Sequence, residues 1–174
     1  MLAFFMMTHP AGAIVPMSRL LLPLLLVPFL LASTPLEADE TEDSLCRELL
    51  TEADGIFEER TTAGRAREAL ELYEKILALD PNFAPPYWRI ARVYLWLTTY
   101  EECEEEPLPL LEEGIAFAKL GIEKAPDRVE PHFWLGALYG RYAEIEGILQ
   151  GLHMLPFIRK QMARVIEIDD TYLG

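Results

Sequence analysis

The sequence predicts an all-α domain, an array of about three antiparallel helix pairs with long insertions between the helices of a pair. Three observations lead there. First, DPNFAPPYWRIARVY (80–94) and APDRVEPHFWLGALY (125–139) match class for class. Pro81 falls on Pro126, Pro86 on Pro131, Tyr87 on His132, Trp88 on Phe133, Ile90 on Leu135, Ala91 on Gly136 and Tyr94 on Tyr139, each 45 residues apart. Second, the spacing inside each copy is helical: Tyr87, Ile90, Ala91 and Tyr94 lie at i, i+3, i+4 and i+7, as do His132, Leu135, Gly136 and Tyr139. Third, proline stops the helix before each copy, at Asp80-Pro81 and Ala125-Pro126.

Taken in order, the chain opens on a segment unlike the rest. Residues 1–34 carry one charged side chain, Arg19, whereas residues 37–49 carry seven. From Met17, which offers a second start, MSRLLLPLLLVPFLLAST has a basic beginning, an apolar core over Leu20–Leu31 and a small-residue end. That is the anatomy of a secretory signal peptide. Cleavage would give a periplasmic or secreted protein; retention, the alternative, would leave it anchored to the inner membrane. The core is short for a span of roughly 20 residues, and Pro23 and Pro28 interrupt it. Residues 35–43 read as an acidic linker, and 44–174 as the helical domain.

Within that domain the first members of the pairs are expected near 44–60, 84–99 and 129–149, and the second members near 63–79, 108–124 and 156–169. Ala69, Tyr73 and Ile76 form the stripe of the helix at 63–79. Asp170 stands where a third closing proline would fall. The insertions lie at Thr98–Pro109 and Glu146–Pro156, and EECEEE (101–106) reads as a solvated acidic loop. Gly136, Gly140, Ala143, Gly147 and Gly151 step by 4, 3, 4 and 4, which puts them on one face of an extended helix. Each interior glycine costs a helix roughly 1 kcal/mol relative to alanine, so close approach of a neighbouring helix is the expected compensation.

The order aromatic, Leu three residues on, Gly, Tyr, later Ala and aromatic, and a closing Pro resembles the tetratricopeptide repeat. Ala69, Tyr73, Pro81, Tyr87, Ile90, Ala91, Tyr94, Pro126, His132, Leu135, Gly136 and Tyr139 carry its packing signature here. The departure is the period, 45 residues against about 34 in that family; HEAT and armadillo arrays, at about 40–47, are the alternative. The phrase HFWLGALYGRY…EGIL is similar to the T component (TatT family) associated with TRAP-type transporters, and more distantly to eukaryotic regulators of microtubule dynamics. The first resemblance implies a protein partner such as an extracytoplasmic solute-binding protein. In tetratricopeptide arrays the first helices of the pairs line a groove. Transferred here, that groove is implied to hold Trp88, Arg92, Leu95, Trp96, Phe133, Ala137, Gly140 and Arg141. The alternative is that the insertions fold over these residues and make them core.

Chemistry is poorly provided for. The net charge of -14, which loss of Arg19 with the leader makes more negative, opposes binding to nucleic acid or anionic lipid. Cys46 and Cys103 lack metal-site spacing, and the pairing of the two is left open. His132 has no ligating partner at motif spacing and reads as a buried, hydrogen-bonded ring. Beyond the leader the only serine is Ser44, with no nucleophile elbow. No cofactor or metal site is expected. Arginine among aromatics is instead the composition of binding surfaces. The expectation is a non-enzymatic scaffold for a protein partner; the alternative is a soluble carrier of a small apolar or carboxylate ligand.

Overall fold

The structure, a computed structural model, describes residues 35–100 and 106–172; for 35–41, 148 and 150 the backbone alone is described. The leader segment 1–34 lies outside the described residues, and 35–174 form one compact unit. Among the described residues every regular element is helical: α1 (Pro35–Glu58), α2 (Ala63–Leu79), α3 (Pro85–Thr99), α4 (Pro107–Lys124), α5 (Val129–Glu146), α6 (Ile148–Gly151) and α7 (Leu155–Ile168), with a 3-10 turn at Leu152–Met154. The protein is all-α. None of these helices is long and apolar enough to cross a membrane.

Local chemistry sets the helix ends. Thr62 caps α2 by accepting a hydrogen bond from the backbone N–H of Arg65 at 3.3 Å. α3, α4 and α7 each carry proline in the first turn, where its missing N–H has no partner to lose. The corners that follow α2 and α4 repeat bond for bond. Asp80 N donates to Ile76 O (2.9 Å) and Phe83 N to Asp80 O (3.2 Å); 45 residues on, Ala125 N donates to Gly121 O (3.0 Å) and Arg128 N to Ala125 O (3.1 Å). Side chains repeat too. The Tyr87 hydroxyl donates to Pro81 O at 2.8 Å, and His132 Nε2 lies 3.1 Å from Pro126 O. The amide of Gln161 sits 2.8 Å from Nδ1, so both nitrogens of this buried imidazole have partners. Asp169 N to Val165 O (2.9 Å) repeats the corner after α7 without a proline.

Successive helices from α1 to α6 pack on one another, α7 packs on α5, and α3 also touches α5. One core joins α1, α2 and α3 through Ala53, Phe57, Ala69, Tyr73, Ile76, Ile90 and Val93. A second joins α3, α4 and α5 through Ala91, Leu111, Ile115, Ala118, Leu135, Leu138 and Tyr139, with Ile158 of α7 against it. Thus Tyr87, Ile90, Ala91, His132, Leu135, Gly136 and Tyr139 of the two stripes are buried, and Tyr94 is half-buried. Pro81 and Pro126 are exposed at their corners.

Three expectations change. Residues 35–43 do not form a linker; the backbone of α1 runs through them. The first insertion shrinks, because α3 reaches Thr99 and α4 starts at Pro107; residues 101–105, with Cys103, lie outside the described residues. Cys46 is a buried free thiol. Third, the extended helix over 129–149 breaks at Gly147, whose φ of 91° is a conformation that suits glycine and ends α5. The glycine ladder therefore splits. A Cβ on Gly136 would run into Met162 of α7, and one on Gly151 would meet the Ala143 carbonyl at 2.6 Å, whereas one on Gly140 would have nothing within 4 Å. Close approach explains two members and not Gly140. Gly140→Ala is accordingly expected to raise stability by about 0.5–1 kcal/mol in urea denaturation, the helix-propensity gain with no clash.

Candidate functional site

Asp54, on the inner face of α1, organises the space between α1 and α3. Its carboxylate accepts from the Tyr73 hydroxyl at 2.6 Å, from Arg89 Nε at 2.8 and 2.9 Å, and from Arg92 Nη2 at 3.5 Å. Arg92 Nη1 reaches Glu58 at 3.3 Å. Burial, then the hydrogen bond to Asp54 and its charge, pushes the Tyr73 hydroxyl well above the usual tyrosine range. A raised pKa of this kind contributes stability that is fully present below about pH 10, where Tyr73 holds its proton folded or unfolded. Stability should then fall as pH climbs from 10 toward the folded value, because only the unfolded chain releases the proton. Denaturation midpoints between pH 8 and 11.5 test this, and Tyr73→Phe should flatten part of the decline.

Above that carboxylate lies an aromatic bed. The guanidinium carbons of Arg60 and Arg92 sit 3.9 and 4.2 Å from the centre of the Phe57 ring, and that of Arg89 lies 4.1 Å from a Trp88 ring. Trp96 stacks on Tyr100 at 4.7 Å, and Phe133 meets Trp134 edge-on at 5.0 Å. Phe57, Arg60, Arg92, Leu95, Trp96, Thr99 and Trp134 line a half-open cavity of about 340 Å³. Burial lowers Arg60 below the ordinary guanidinium value; Glu58 pulls it up and Arg92 pushes it further down. Among the described residues three buried donors of these lining residues have no hydrogen-bond partner: Nε of Arg60, Nε of Arg92 and Nε1 of Trp134. Such donors cost about 1–3 kcal/mol each when nothing accepts from them.

The eight residues expected in a groove are all half-buried, and they are spread over three cavities and the packing around them. Arg92, Leu95 and Trp96 line the cavity just described. Trp88 lines another, of about 330 Å³, with Leu50, Arg89, Arg128 and Pro131. Gly140 lines a third, of about 370 Å³, at the corner of α5, α6 and α7. Phe133 packs on Tyr172 at 5.4 Å, under the last described turn. Ala137 is half-buried on α5 and lines none of the three cavities. Arg141 donates to the Thr98 carbonyl at 2.8 Å and pairs with Glu144 at 3.0 Å, which ties α5 to the end of α3. Both arginines expected to greet a ligand thus have partners within the protein, Arg92 through Asp54 and Glu58. Asp54, Phe57, Arg60, Arg89 and Trp134 are the members that sequence reasoning missed. A readable signal existed in part: Asp54, Phe57 and Arg60 step by three, the first two in α1 and the third just past its end. Among the described residues no cluster of three or more His, Cys, Asp or Glu is placed to hold a metal ion.

A family model described as regulator of microtubule dynamics protein 1-3 matches residues 49–173, well over half of the chain and every residue around the Arg60–Arg92 cavity. The chain belongs to the regulator of microtubule dynamics 1-3 family. No curated protein gives a significant match. Membership in the microtubule-regulator family overturns the assignment to tetratricopeptide proteins and to the T component of TRAP-type transporters. The features that suggested those families were an aromatic–small–Tyr stripe and a proline corner. Any close-packed helical hairpin needs small residues where helices touch and a stop where the chain turns, so these features track packing more than ancestry. The period of 45 residues was the sign against. The solute-binding protein inferred as partner rested on that resemblance and loses its support.

Proposed function

We propose that this member of the microtubule-regulator family acts by binding a protein partner, without catalysis, on the face where α1, α3 and α5 meet. The observation that carries the reading is the cavity in which arginines lie against aromatic rings with buried donors left unpartnered. Aromatic and arginine side chains held rigid in this way are the usual anchors of an interface. Asp54 and Phe57 fix the guanidinium groups beforehand, which limits the ordering cost of association. The family's description names regulators, a role that binding serves. The leader segment supports an exported protein, and the absence of an assembled nucleophile or acid–base pair in the sequence supports action without chemistry.

The double variant Arg92→Ala, Arg141→Ala tests the reading. Cross-linking of the tagged chain in its own cells should recover a partner with the wild type and at least tenfold less with the variant, helical circular dichroism being unchanged. Equal recovery would remove the face from the account. The second reading, a carrier of a small apolar or carboxylate ligand, is favoured by the apolar Phe57, Leu95 and Trp96 side chains that line the same cavity. It predicts saturable quenching of tryptophan fluorescence by such ligands with no protein recovered.

A further inference from the structure

We propose that two copies of this chain meet on the outer face of α7, their α7 helices packed antiparallel about a twofold axis at Ala163. This face is not the one where α1, α3 and α5 meet, and the inference stands independently of the partner reading above. α7 has two unlike sides. One lies on α5: Val165 is fully buried, Met162 lies against Gly136, and Gln161 meets the His132 ring. The opposite side carries Pro156, Arg159, Ala163, Ile166 and Glu167 at helical spacing, all exposed. Ile166 keeps 57% of its surface in water, and Leu152 and Leu155 at the start of the helix keep 54% and 47%. Large apolar side chains gathered on one exposed face mark a contact surface.

The charges on this face choose the occupant. Arg159 and Lys160 stand in its first half, Glu167 and Asp170 at its far end. Glu167 pairs with Arg164 of its own helix at 3.0 Å and still keeps 68% of its side chain exposed. These four charges balance, so the face is neutral in a chain of net charge -14, and two acidic copies can approach there. A face basic at one end and acidic at the other is complementary to itself turned end for end. With Ala163 on the axis, Arg159 stands opposite Glu167 of the second copy, and Lys160 lays its stem along Ile166 of the second copy. Leu152 and Leu155 reach the turn that follows α7 of the second copy. Parallel pairing would set Arg159 on Arg159 and Glu167 on Glu167. A partner of a single sign would oppose one end or the other. The small side chain of Ala163 at the crossing lets the helix axes come within about 8–10 Å.

Sedimentation velocity of the chain as its cells make it, from about 1 to about 200 µM, tests the proposal. A helix of 14 residues offers a short contact, so a dimer dissociating at about 1–50 µM is expected. Arg159→Glu and Glu167→Arg should each weaken the dimer at least about tenfold, and the two together in one chain should bring it back to within about threefold of wild type. All of these side chains are exposed, so folding is not at stake. Ala163→Cys should form a disulfide-linked dimer on a non-reducing gel that the wild type, with Cys46 and Cys103, does not form. Ile166→Cys should not, because antiparallel helices hold the two copies of that position about 9 Å apart along the axis. A monomer at every concentration, single reversals without effect, a double reversal that stays weak, or cross-linking through Ile166→Cys as readily as through Ala163→Cys overturns the proposal. A monomer from which Ile166→Asp removes a cross-linked partner would give the face to a different protein, and a monomer that sediments with phosphatidylglycerol vesicles would give it to a membrane surface; either result overturns the dimer.

Discussion

Asp54→Ala should lower the stability of the helical domain by about 2–3 kcal/mol. Removing one member of a buried ion pair costs about 3–5 kcal/mol, because the other charge is left without compensation. Here the carboxylate keeps 31% of its side-chain surface exposed, which places the loss below that range. Several groups lose their acceptor together. Arg89, only 16% exposed at its side chain, loses both of its bonds to Asp54; the Tyr73 hydroxyl loses the carboxylate that accepts from it; Arg92 keeps Glu58 alone. Urea denaturation followed by circular dichroism reads the loss directly. Asp54→Asn, which retains an acceptor for the Tyr73 hydroxyl, should fall between wild type and alanine. A loss under 0.5 kcal/mol for Asp54→Ala would mean that the pairs to Asp54 are surface contacts of little weight.

Gly114→Val should cost about 2–3 kcal/mol, a clash in the second core. A Cβ at this position would lie 2.9 Å from Leu138 Cδ2 and 2.9 Å from Tyr94 Cβ. Leu138 can turn away, but Tyr94 Cβ is fixed to the backbone of α3, so one helix has to move. Gly114→Ala meets the same contact and gains about 1 kcal/mol of helix propensity, which leaves its net cost smaller. Gly121, seven residues on along the same face, would bring a Cβ to 3.2 Å from Tyr87 and 3.3 Å from Pro131. These two glycines of α4 do what the ladder in α5 had been expected to do: they let α3 and α5 close on a neighbouring helix. Set beside Gly140→Ala, which should stabilise, Gly114→Val gives a contrast of sign between glycines that look alike in the sequence.

That contrast shows where the sequence is legible. The helices could be read because burial imposes a period near 3.6 and proline imposes stops; both are local, and the ends of α2 and α3 fall within a residue or so of expectation. The 45-residue repeat was legible for the same reason, and the paired bonds of Tyr87 to Pro81 and His132 to Pro126 show its physical content: a polar aromatic tip satisfying the carbonyl of the corner six residues back. The break at Gly147 was not legible, since a glycine inside a helix and a glycine at positive φ are the same letter. Nor was the Asp54–Arg89 pair, whose members are 35 residues apart and meet only once α1 and α3 have been placed. The acidic stretch at 35–43 looked like a linker because charge without apolar period carries no packing signal, yet a helix can run on through it at modest cost. The eight candidate groove positions were chosen on one assumed surface. Half-burial of every one of them follows from standing next to the packing stripes, but Trp88, Gly140 and the trio Arg92, Leu95 and Trp96 line three different cavities, and Phe133 and Arg141 pack within the protein.

Hydrogen–deuterium exchange of the chain with and without its cross-linked partner tests the central claim most directly. The account predicts that binding slows exchange in the end of α1, in α3 and in α5, over 54–60, 88–99 and 133–141, while α2 and α4 stay as they are in the free protein. Protection confined to α2, α4 or the exposed face of α7 would contradict it.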